Sequence, residues 1–222
     1  MAARISERGS IVKDAALVGT FILETGKGRS TGSLRVRYVS PDLYRVDAFM
    51  SGAAGAGGGT SILVEGDTTF TYSDSEGGLE AEALERGSVV PVLADLDLQL
   101  EDLKSLAMLA PYLWSMDLNG ARCSRVRDGY LLEGEAPYGD NISIWIDEDK
   151  EVVTRGLRLA HDGLPLVETK LGRFRRLNGE WRATRVSLRH FGQKASFSVQ
   201  YDRISFNEGL QRVDLLIRGM AP

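Results

Sequence analysis

The strongest constraint on the fold is the alternation of apolar and polar side chains along residues 142–206. Ile142, Ile144 and Ile146 stand two positions apart, and a period of two places alternate side chains on opposite faces of a β-strand. The same spacing recurs at Leu157 and Leu159, at Val186, Leu188 and His190, and at Phe197, Val199 and Tyr201. The pattern predicts four or five consecutive strands, in which Arg158 faces away from the apolar side with the other polar residues.

Short turn sequences separate these predicted strands. The dipeptides at 162–163 and 178–179 are Asp-Gly and Asn-Gly, and residues 147–150 and 192–193 occupy two further junctions. Antiparallel strands can be joined by links this short, whereas parallel strands need a crossover of about a dozen residues or more. The sequence therefore predicts a large antiparallel meander.

The first half of the chain continues the strand pattern. Leu34, Val36 and Tyr38 alternate with two arginines, Arg35 and Arg37. Further strands are predicted within residues 16–23, 33–40, 43–50, 62–65, 68–73, 121–126, 130–135 and 213–217. The predicted total for the whole sequence is about eleven strands.

Residues 96–113 depart from this pattern, because their apolar side chains recur every three or four residues. The series is Leu96, Leu100, Leu103, Leu106, Leu109 or Ala110, and Leu113. This spacing predicts one amphipathic helix, capped by Asp95 or Asp97 and ending near Pro111. The predicted fold is α+β and mostly β: a large curved antiparallel sheet of about eleven strands, with a helix lid on its concave face. Residues 1–222 are predicted to form a single domain.

The composition argues against several classes of function. The formal net charge of −4 over 222 residues is the wrong sign for a nucleic-acid partner, which needs a dominant basic face. The single cysteine, Cys123, allows no intrachain disulfide and is predicted to be a small buried or half-buried residue. No apolar run approaches the ~20 residues that a membrane-spanning helix requires.

Residues 51–60 are rich in glycine and alanine, as phosphate-binding loops are rich in glycine. A P-loop, however, needs a Gly-Lys-Ser/Thr sequence that opens a helix, whereas Gly59 is followed by Thr60 and a predicted strand. The dinucleotide-binding fingerprint fails for the same reason. The stretch is interpreted as a loop between two strands.

No group of side chains predicts catalysis, a cofactor or a bound metal. His161 and His190 are too few for a zinc site without acidic partners, and both are predicted at the surface or at a strand end. Residues 147–149 are acidic but lack the spacing and the distal glutamate of a calcium loop. Neither histidine has a recognisable triad context, so the chain is predicted not to be an enzyme.

An apolar helix laid against a curved sheet allows two kinds of interior. A pocket left between the sheet and the helix would suit acyl chains. Alternatively, the helix fills the core and the sheet serves as a platform for another protein. The pattern of residues leaves both interiors open.

Several short motifs resemble, in the same order, those of LolA/LolB-type periplasmic lipoprotein carriers. Residues 32–47 match a strand pair with Gly-x-Leu-x-Val followed by Pro-x-x-Tyr-Arg, and residues 61–72 match the next pair, with a glycine turn and a final tyrosine. Further matches are residues 144–147, 201–207 and 213–222. The chain is thus similar to a distant member of the LolA/LolB superfamily.

The resemblance implies an unclosed β-barrel whose helix-covered concave side holds lipoprotein acyl chains without hydrolysing them. It implies a location in the periplasm or at the periplasmic face of the outer membrane, either free or as a lipoprotein whose signal and anchor are absent from this sequence. The implied partners are lipid or lipoprotein acyl chains and an outer-membrane or envelope protein, with no cofactor. LolB-like members expose a bulky apolar residue in the loop after the third strand, which residues 51–60 lack.

The residues expected to line the cavity lie on the sheet and on the helix. They are Leu34, Val36, Val46, Phe70 and Tyr72 on the sheet, Leu103, Leu106 and Leu113 on the helix, and Trp114 at the mouth. The expected function is non-enzymatic binding and transport of lipid or lipoprotein acyl chains in the Gram-negative envelope. The alternative is an envelope protein–protein interaction module with a filled core.

Overall fold

The structure, a computed structural model, describes most of the chain. The described residues are 12–39, 43–51, 58–66, 68–74, 77–83, 89–93, 96–99, 102, 109, 116, 118, 120–136, 139–217 and 220. The chain divides into two compact units. The terminal unit comprises Val12–Leu100 and Val199–Pro222, and the central unit comprises Met1–Ile11 and Glu101–Ser198. A single domain over residues 1–222 stays a prediction.

Strands make up nearly all of the described secondary structure. The first eight are β1 (Asp14–Thr25), β2 (Gly28–Val39), β3 (Leu43–Met50), β4 (Gly59–Glu65), β5 (Thr68–Ser73), β6 (Gly78–Ala83), β7 (Val89–Leu93) and β8 (Leu96–Gln99). The others are β9 (Arg122–Val126), β10 (Gly129–Glu135), β11 (Asn141–Asp147), β12 (Val152–Leu159), β13 (Pro165–Gly172), β14 (Arg175–Leu177), β15 (Glu180–Arg182), β16 (Arg185–His190) and β17 (Ala195–Phe206). A short 3₁₀ helix, Arg212–Leu215, follows β17.

Strands β1 to β6 of the terminal unit form successive antiparallel hairpins. Alternate residues are buried, as the period of two predicts: in β2, Leu34 and Val36 are buried whereas Arg35 is exposed. On the other side of β1, a Cβ on Gly19 would lie 2.2 Å from the carbonyl oxygen of Gln200. Only glycine therefore allows this approach of β17. The hairpins predicted in the first half of the chain are confirmed.

The predicted helix is wrong at its start. Leu96–Gln99 form β8, which pairs with β7 in a separate two-stranded antiparallel sheet. Within β8, Leu96 and Leu98 alternate with Asp97 and Gln99, which is the spacing of a strand. The leucines that follow recur every three or four residues, and this longer series hid the strand pattern at its start. Most of residues 100–113 lie outside the described residues, although Asp102 has a helical backbone. The described part of the chain gives no support for a helix lid.

Strands β9 to β13 of the central unit also pair in succession, and β13 then pairs with β16. Between them, β14 and β15 form a small hairpin on the predicted Asn178-Gly179 turn. Asn178 and Gly179 have φ angles of 49° and 84°, as a type I′ turn requires. Ile142, Ile144 and Ile146 are buried, which confirms the alternation from which the fold was predicted.

The large sheet has more strands than the sequence predicts. Thirteen antiparallel strands follow the order β6-β5-β4-β3-β2-β1-β17-β16-β13-β12-β11-β10-β9, and this order has two ends, so the sheet is not closed. The predicted count of about eleven is wrong because β6 and β13 were not singled out from the sequence: β6 has mostly small and charged residues, and β13 has adjacent apolar residues, Leu166 and Val167, where a strict alternation would separate them. The mostly β, antiparallel, unclosed class is confirmed.

The C-terminal segment differs from its prediction. Residues 213–217 were predicted as a strand, but Arg212–Leu215 form a 3₁₀ helix. The Asp214 carboxylate accepts a hydrogen bond of 2.8 Å from the backbone N–H of Gln211, which caps this turn. Leu215 and Ile217 are both buried, so spacing alone did not distinguish the two structures.

Candidate functional site

Three of the predicted cavity residues share one face of the terminal unit. Val36 of β2 lies directly opposite Val46 of β3, and Val46 lies opposite Ile62 of β4. Leu34 is two residues from Val36 and therefore on the same face. This surface is here called the Leu34 face, and its residues are at most 1% exposed: Leu34, Val36, Val46 and Ile62.

Phe70 and Tyr72 lie on the opposite face of the same sheet. Phe70 pairs with Leu63, and Tyr72 pairs with Ser61, whereas the Leu34 face continues through Ile62. Leu63, Phe70 and Tyr72, here called the Leu63 face, pack against the C-terminal segment through Leu215 and Ile217. The structure therefore does not bring the five predicted sheet residues together on one surface.

A polar network on the Leu63 side fastens the C-terminal segment. Asp47 is 2% exposed and accepts hydrogen bonds from Arg37 Nη2 at 2.8 Å, Arg45 Nε at 2.7 Å and Ser61 Oγ at 2.7 Å. Burial alone would raise the pKa of Asp47, but the hydrogen bonds from Ser61 and Arg37 and the charge of Arg45 outweigh it and hold that pKa below its usual value. Asp47 therefore keeps both arginines in place.

The same arginines reach the backbone of the C-terminal segment. Arg37 donates to the carbonyl oxygen of Asp214, and Arg45 donates to that of Leu216. At the edge of the contact, Arg212 forms a two-point ion pair with Glu65, with oxygen–nitrogen distances of 2.6 and 2.9 Å. Together these bonds hold the C-terminal segment on the Leu63 face.

The helix and mouth residues of the prediction lie outside the described residues. They are Leu103, Leu106, Leu113 and Trp114. Two neighbours are described and buried: Leu109 is 7% exposed and Met116 is 6% exposed. The stretch that contains the predicted helix thus contributes buried apolar side chains to the central unit.

The sequence pattern predicted that Arg158 faces away from the apolar side of the sheet, and this prediction is wrong. In the register of the central unit it lies opposite Ile142 on β11 and Val167 on β13, both of which are buried. Arg158 itself is 4% exposed, so it sits on the apolar face and not with the polar residues. Its Nη1 contacts the Asp140 carboxylate at 3.0 Å, and its Nη2 contacts the Asp102 carboxylate at 3.2 Å. These acidic partners permit burial of the cation.

The central unit also contains an open cavity of about 730 Å³. Its lining is Gly120, Arg122, Glu133, Gly134, Glu135, Ala136, Asn141, Ser143 and Leu159, and it includes none of the predicted cavity residues. Arg122 and Glu133 form an ion pair of 2.7 Å across strands β9 and β10. The lining mixes charged and polar side chains with apolar surface, so the cavity does not match the apolar pocket expected from the sequence.

The candidate reactive residues have ordinary surroundings. His161 is exposed in a turn, and His190 is half-buried at the end of β16, where its Nδ1 accepts a hydrogen bond of 3.2 Å from the backbone N–H of Gln193. Cys123 is exposed, so its predicted burial is wrong; it lies on β9, which is the last strand of the sheet and has one neighbour. The described residues contain no group of three metal-ligating side chains.

One serine does match a catalytic sequence pattern. Residues 28–32 read Gly-Arg-Ser-Thr-Gly, the Gly-x-Ser-x-Gly of a nucleophile elbow. All five residues, however, belong to strand β2. An elbow needs a sharp strand-to-helix turn at the serine, so Ser30 lacks the required geometry.

Phe49 is a bulky apolar side chain that the sequence reasoning did not single out. It ends β3 beside the glycine-rich loop and is 48% exposed. Its ring lies over Gly59, where a Cβ would be 2.7 Å from the ring. The position of Phe49 next to the 51–60 loop was the signal from which the sequence could have identified it.

No helix in the described part of the chain is long and apolar enough to cross a membrane.

The fold is similar to the folds of several solved structures. A LolA superfamily protein from Nitrosomonas europaea matches with a TM-score of 0.66 and 12% identity, over 97% of each chain. A DUF1329 family protein from Desulfovibrio piger matches with a TM-score of 0.66 and 14% identity, over 97% of this chain and 96% of that one. A candidate outer membrane lipoprotein-sorting protein domain from Vibrio parahaemolyticus matches with a TM-score of 0.61 and 14% identity, over 97% of each chain.

Sequence comparison adds nothing to this result. No protein-family model matches the chain, and no curated protein sequence is detectably similar to it. The similarity therefore lies in the fold, as the short motifs of residues 32–47 and 61–72 suggested.

Proposed function

We propose that this protein binds lipid or lipoprotein acyl chains without chemical turnover, as a carrier in the Gram-negative cell envelope. The observation that carries the proposal is that the sheet of the terminal unit has buried apolar side chains on both of its faces. The C-terminal segment packs on the Leu63 face, while the Leu34 face carries a separate row of buried apolar residues. A sheet with one face on a core and one in water needs only one such face. The Leu34 face is the additional apolar face, and an apolar surface of this kind suits an acyl chain.

The proposed binding surface is the Leu34 face, with Leu34, Val36 and Val46 in contact with the chain. Leu103, Leu106, Leu113 and Trp114 remain proposed ligand contacts on the sequence pattern alone. Phe70 and Tyr72 contact the C-terminal segment, so they would reach a ligand only if that segment were displaced.

The LolA-like fold supports the proposed setting. One structure with a similar fold is a candidate outer membrane lipoprotein-sorting protein domain. We therefore place the protein in the periplasm or at the periplasmic face of the outer membrane, with an envelope protein as a further partner. The exposed Phe49 is the side chain proposed to meet a lipid surface.

Photocrosslinking tests which surface binds the chain. A fatty acid with a diazirine at mid-chain is incubated with the protein and irradiated, and the adducts are mapped by peptide mass spectrometry. The proposal expects adducts on peptides that carry Leu34, Val36 or Val46, and their loss when unlabelled fatty acid is added in excess. Adducts confined to peptides with Leu63 or Leu215 would contradict the proposed surface, and no competed adduct would contradict lipid binding.

The second candidate is an envelope interaction module with a filled core. Its supporting observation is that Leu34, Val36 and Val46 are at most 1% exposed, as they would be in a closed core. Such a module binds a protein through its outer surface and takes up no acyl chain. The crosslinking experiment separates the two candidates, because a filled core yields only surface adducts that excess fatty acid does not compete away.

A further inference from the structure

Arg158 is a buried cation on the apolar face of the central unit. Its cross-strand neighbours are Ile142 and Val167, which are 1% and 0% exposed. Ile144 is two residues from Ile142 on the same face and is fully buried. A guanidinium among aliphatic side chains is the arrangement that recognises an amphipathic anion, whose charged end and apolar tail need adjacent partners.

Both acidic partners of Arg158 come from outside its strand. Asp140 precedes β11, and Asp102 belongs to the stretch after β8. Each carboxylate contacts a different terminal nitrogen of the guanidinium, Asp140 at 3.0 Å from Nη1 and Asp102 at 3.2 Å from Nη2. One incoming carboxylate or phosphate can bind a guanidinium through two oxygens at once.

Exchange of one carboxylate for another keeps the charge of the site constant. If a ligand anion takes the place of Asp102, Arg158 keeps a buried counter-ion and the Asp102 carboxylate gains access to water. The costly state, a buried cation without a partner, is avoided throughout. Asp102 is fully buried in the present structure, so it occupies the place that a ligand headgroup would need.

We propose that Arg158 binds the anionic headgroup of a lipid, in place of Asp102, while the neighbouring isoleucines contact the first part of the acyl chain. This inference rests on the proposed lipid-binding function and adds to it a second contact, within the central unit and separate from the Leu34 face, for anionic lipids: fatty acids or lipids with a phosphate monoester. Arg158 is then the residue that selects charged over neutral lipids.

Paired ligands test the inference. Palmitic acid and 1-hexadecanol have the same chain length and differ in headgroup charge, and palmitoyl lysophosphatidic acid provides the phosphate. Competition against a fluorescent fatty acid at pH 8 gives the affinity of each. Wild type should prefer the acid over the alcohol by about tenfold or more, the range of a charge-assisted hydrogen-bonded pair. Whichever anion binds more tightly, palmitic acid or lysophosphatidic acid, shows whether Arg158 favours a carboxylate or a phosphate headgroup.

Three variants locate the effect. Arg158→Met should lose the preference for the acid while retaining the alcohol, and Asp102→Asn should bind the acid more tightly because the competing charge is gone. Arg155→Met is the matched control: Arg155 lies on β12 three residues away, pairs with Glu168 and stacks on Trp145, and should leave the preference unchanged. If Arg158→Met fails to fold, the change in affinity for the acid in Asp102→Asn decides the test by itself.

The outcomes separate this inference from the proposed function. Equal binding of acid and alcohol by wild type would overturn the role of Arg158 but leave lipid binding intact. A preference for the acid that survives in Arg158→Met, or weaker binding by Asp102→Asn, would also overturn it. Binding of neither ligand would overturn the proposed function itself.

Discussion

Asp47 and Arg37 form a buried ion pair of 2.8 Å on adjacent strands, directly beneath the C-terminal segment. The carboxylate is 3% exposed, and Arg45 contacts its other oxygen. Because both arginines also donate to backbone carbonyls of the segment, Asp47 links the sheet to the last part of the chain.

Asp47→Ala should lower the free energy of unfolding by about 3–5 kcal/mol, because it leaves two largely buried arginines without their counter-ion. Urea denaturation followed by circular dichroism measures the change. The matched control is Glu24→Ala, which removes the exposed partner of Arg29 and should cost less than about 1 kcal/mol. Similar losses in the two variants would contradict the structural role of Asp47.

Acid should loosen the C-terminal segment. The pKa of Asp47 lies below its ordinary value of 3.8 in the folded state, so its contribution to stability is present above that value and is lost as the pH falls through the folded pKa. Methyl resonances of Leu215 and Ile217, followed by NMR from pH 6 to pH 2, should therefore change only below about pH 4. In Asp47→Asn this step should be absent; an unchanged step would assign the titration to another group.

Leu215→Ala should destabilise the protein by about 2–5 kcal/mol, because Leu215 is fully buried against Leu63 and the truncation leaves a cavity. Val213 lies in the same 3₁₀ helix but is 58% exposed, and Val213→Ala should change stability by less than about 0.5 kcal/mol. Thermal and urea unfolding of both variants measure the difference. Equal effects would mean that the segment does not pack as described.

Gly19→Ala should destabilise the terminal unit by about 1–3 kcal/mol, since the new Cβ would lie 2.2 Å from the carbonyl oxygen of Gln200 and the strands would have to move. Gly26→Ala is the control, because a Cβ there meets nothing within 4 Å. Denaturant midpoints of the two variants give the comparison. A neutral Gly19→Ala would show that β1 and β17 are farther apart than the structure has them.

The strand content of the chain could be predicted because the alternation is strong. In β2 and β11, apolar residues at every second position were enough to identify the strand and its buried face. The leucines of residues 96–113 were ambiguous, since β8 satisfies a period of two within a longer helical series. Residues 213–217 were ambiguous for a similar reason: burial of Leu215 and Ile217 fits a strand and a capped 3₁₀ turn equally well.

The candidate site could be predicted only strand by strand. Alternation places Phe70 and Tyr72 on one face of β5. Whether Val46 lies on the same face of the sheet depends on how β5 pairs with β4, and Phe70 pairs with Leu63, not with the neighbour of Val46. Turn geometry sets this register, so the alternation within β5 alone does not determine which face of β4 it continues. The partners of Arg158 come from positions 102 and 140, and no local pattern links them.

Native mass spectrometry of the protein purified from a Gram-negative host, followed by solvent extraction and lipid analysis, tests the central claim most directly. The account predicts a bound species of lipid mass that is released on denaturation, with a fatty acid or an anionic phospholipid in the extract. A protein of ligand-free mass that also takes up no added fatty acid would contradict it and favour the interaction module with a filled core.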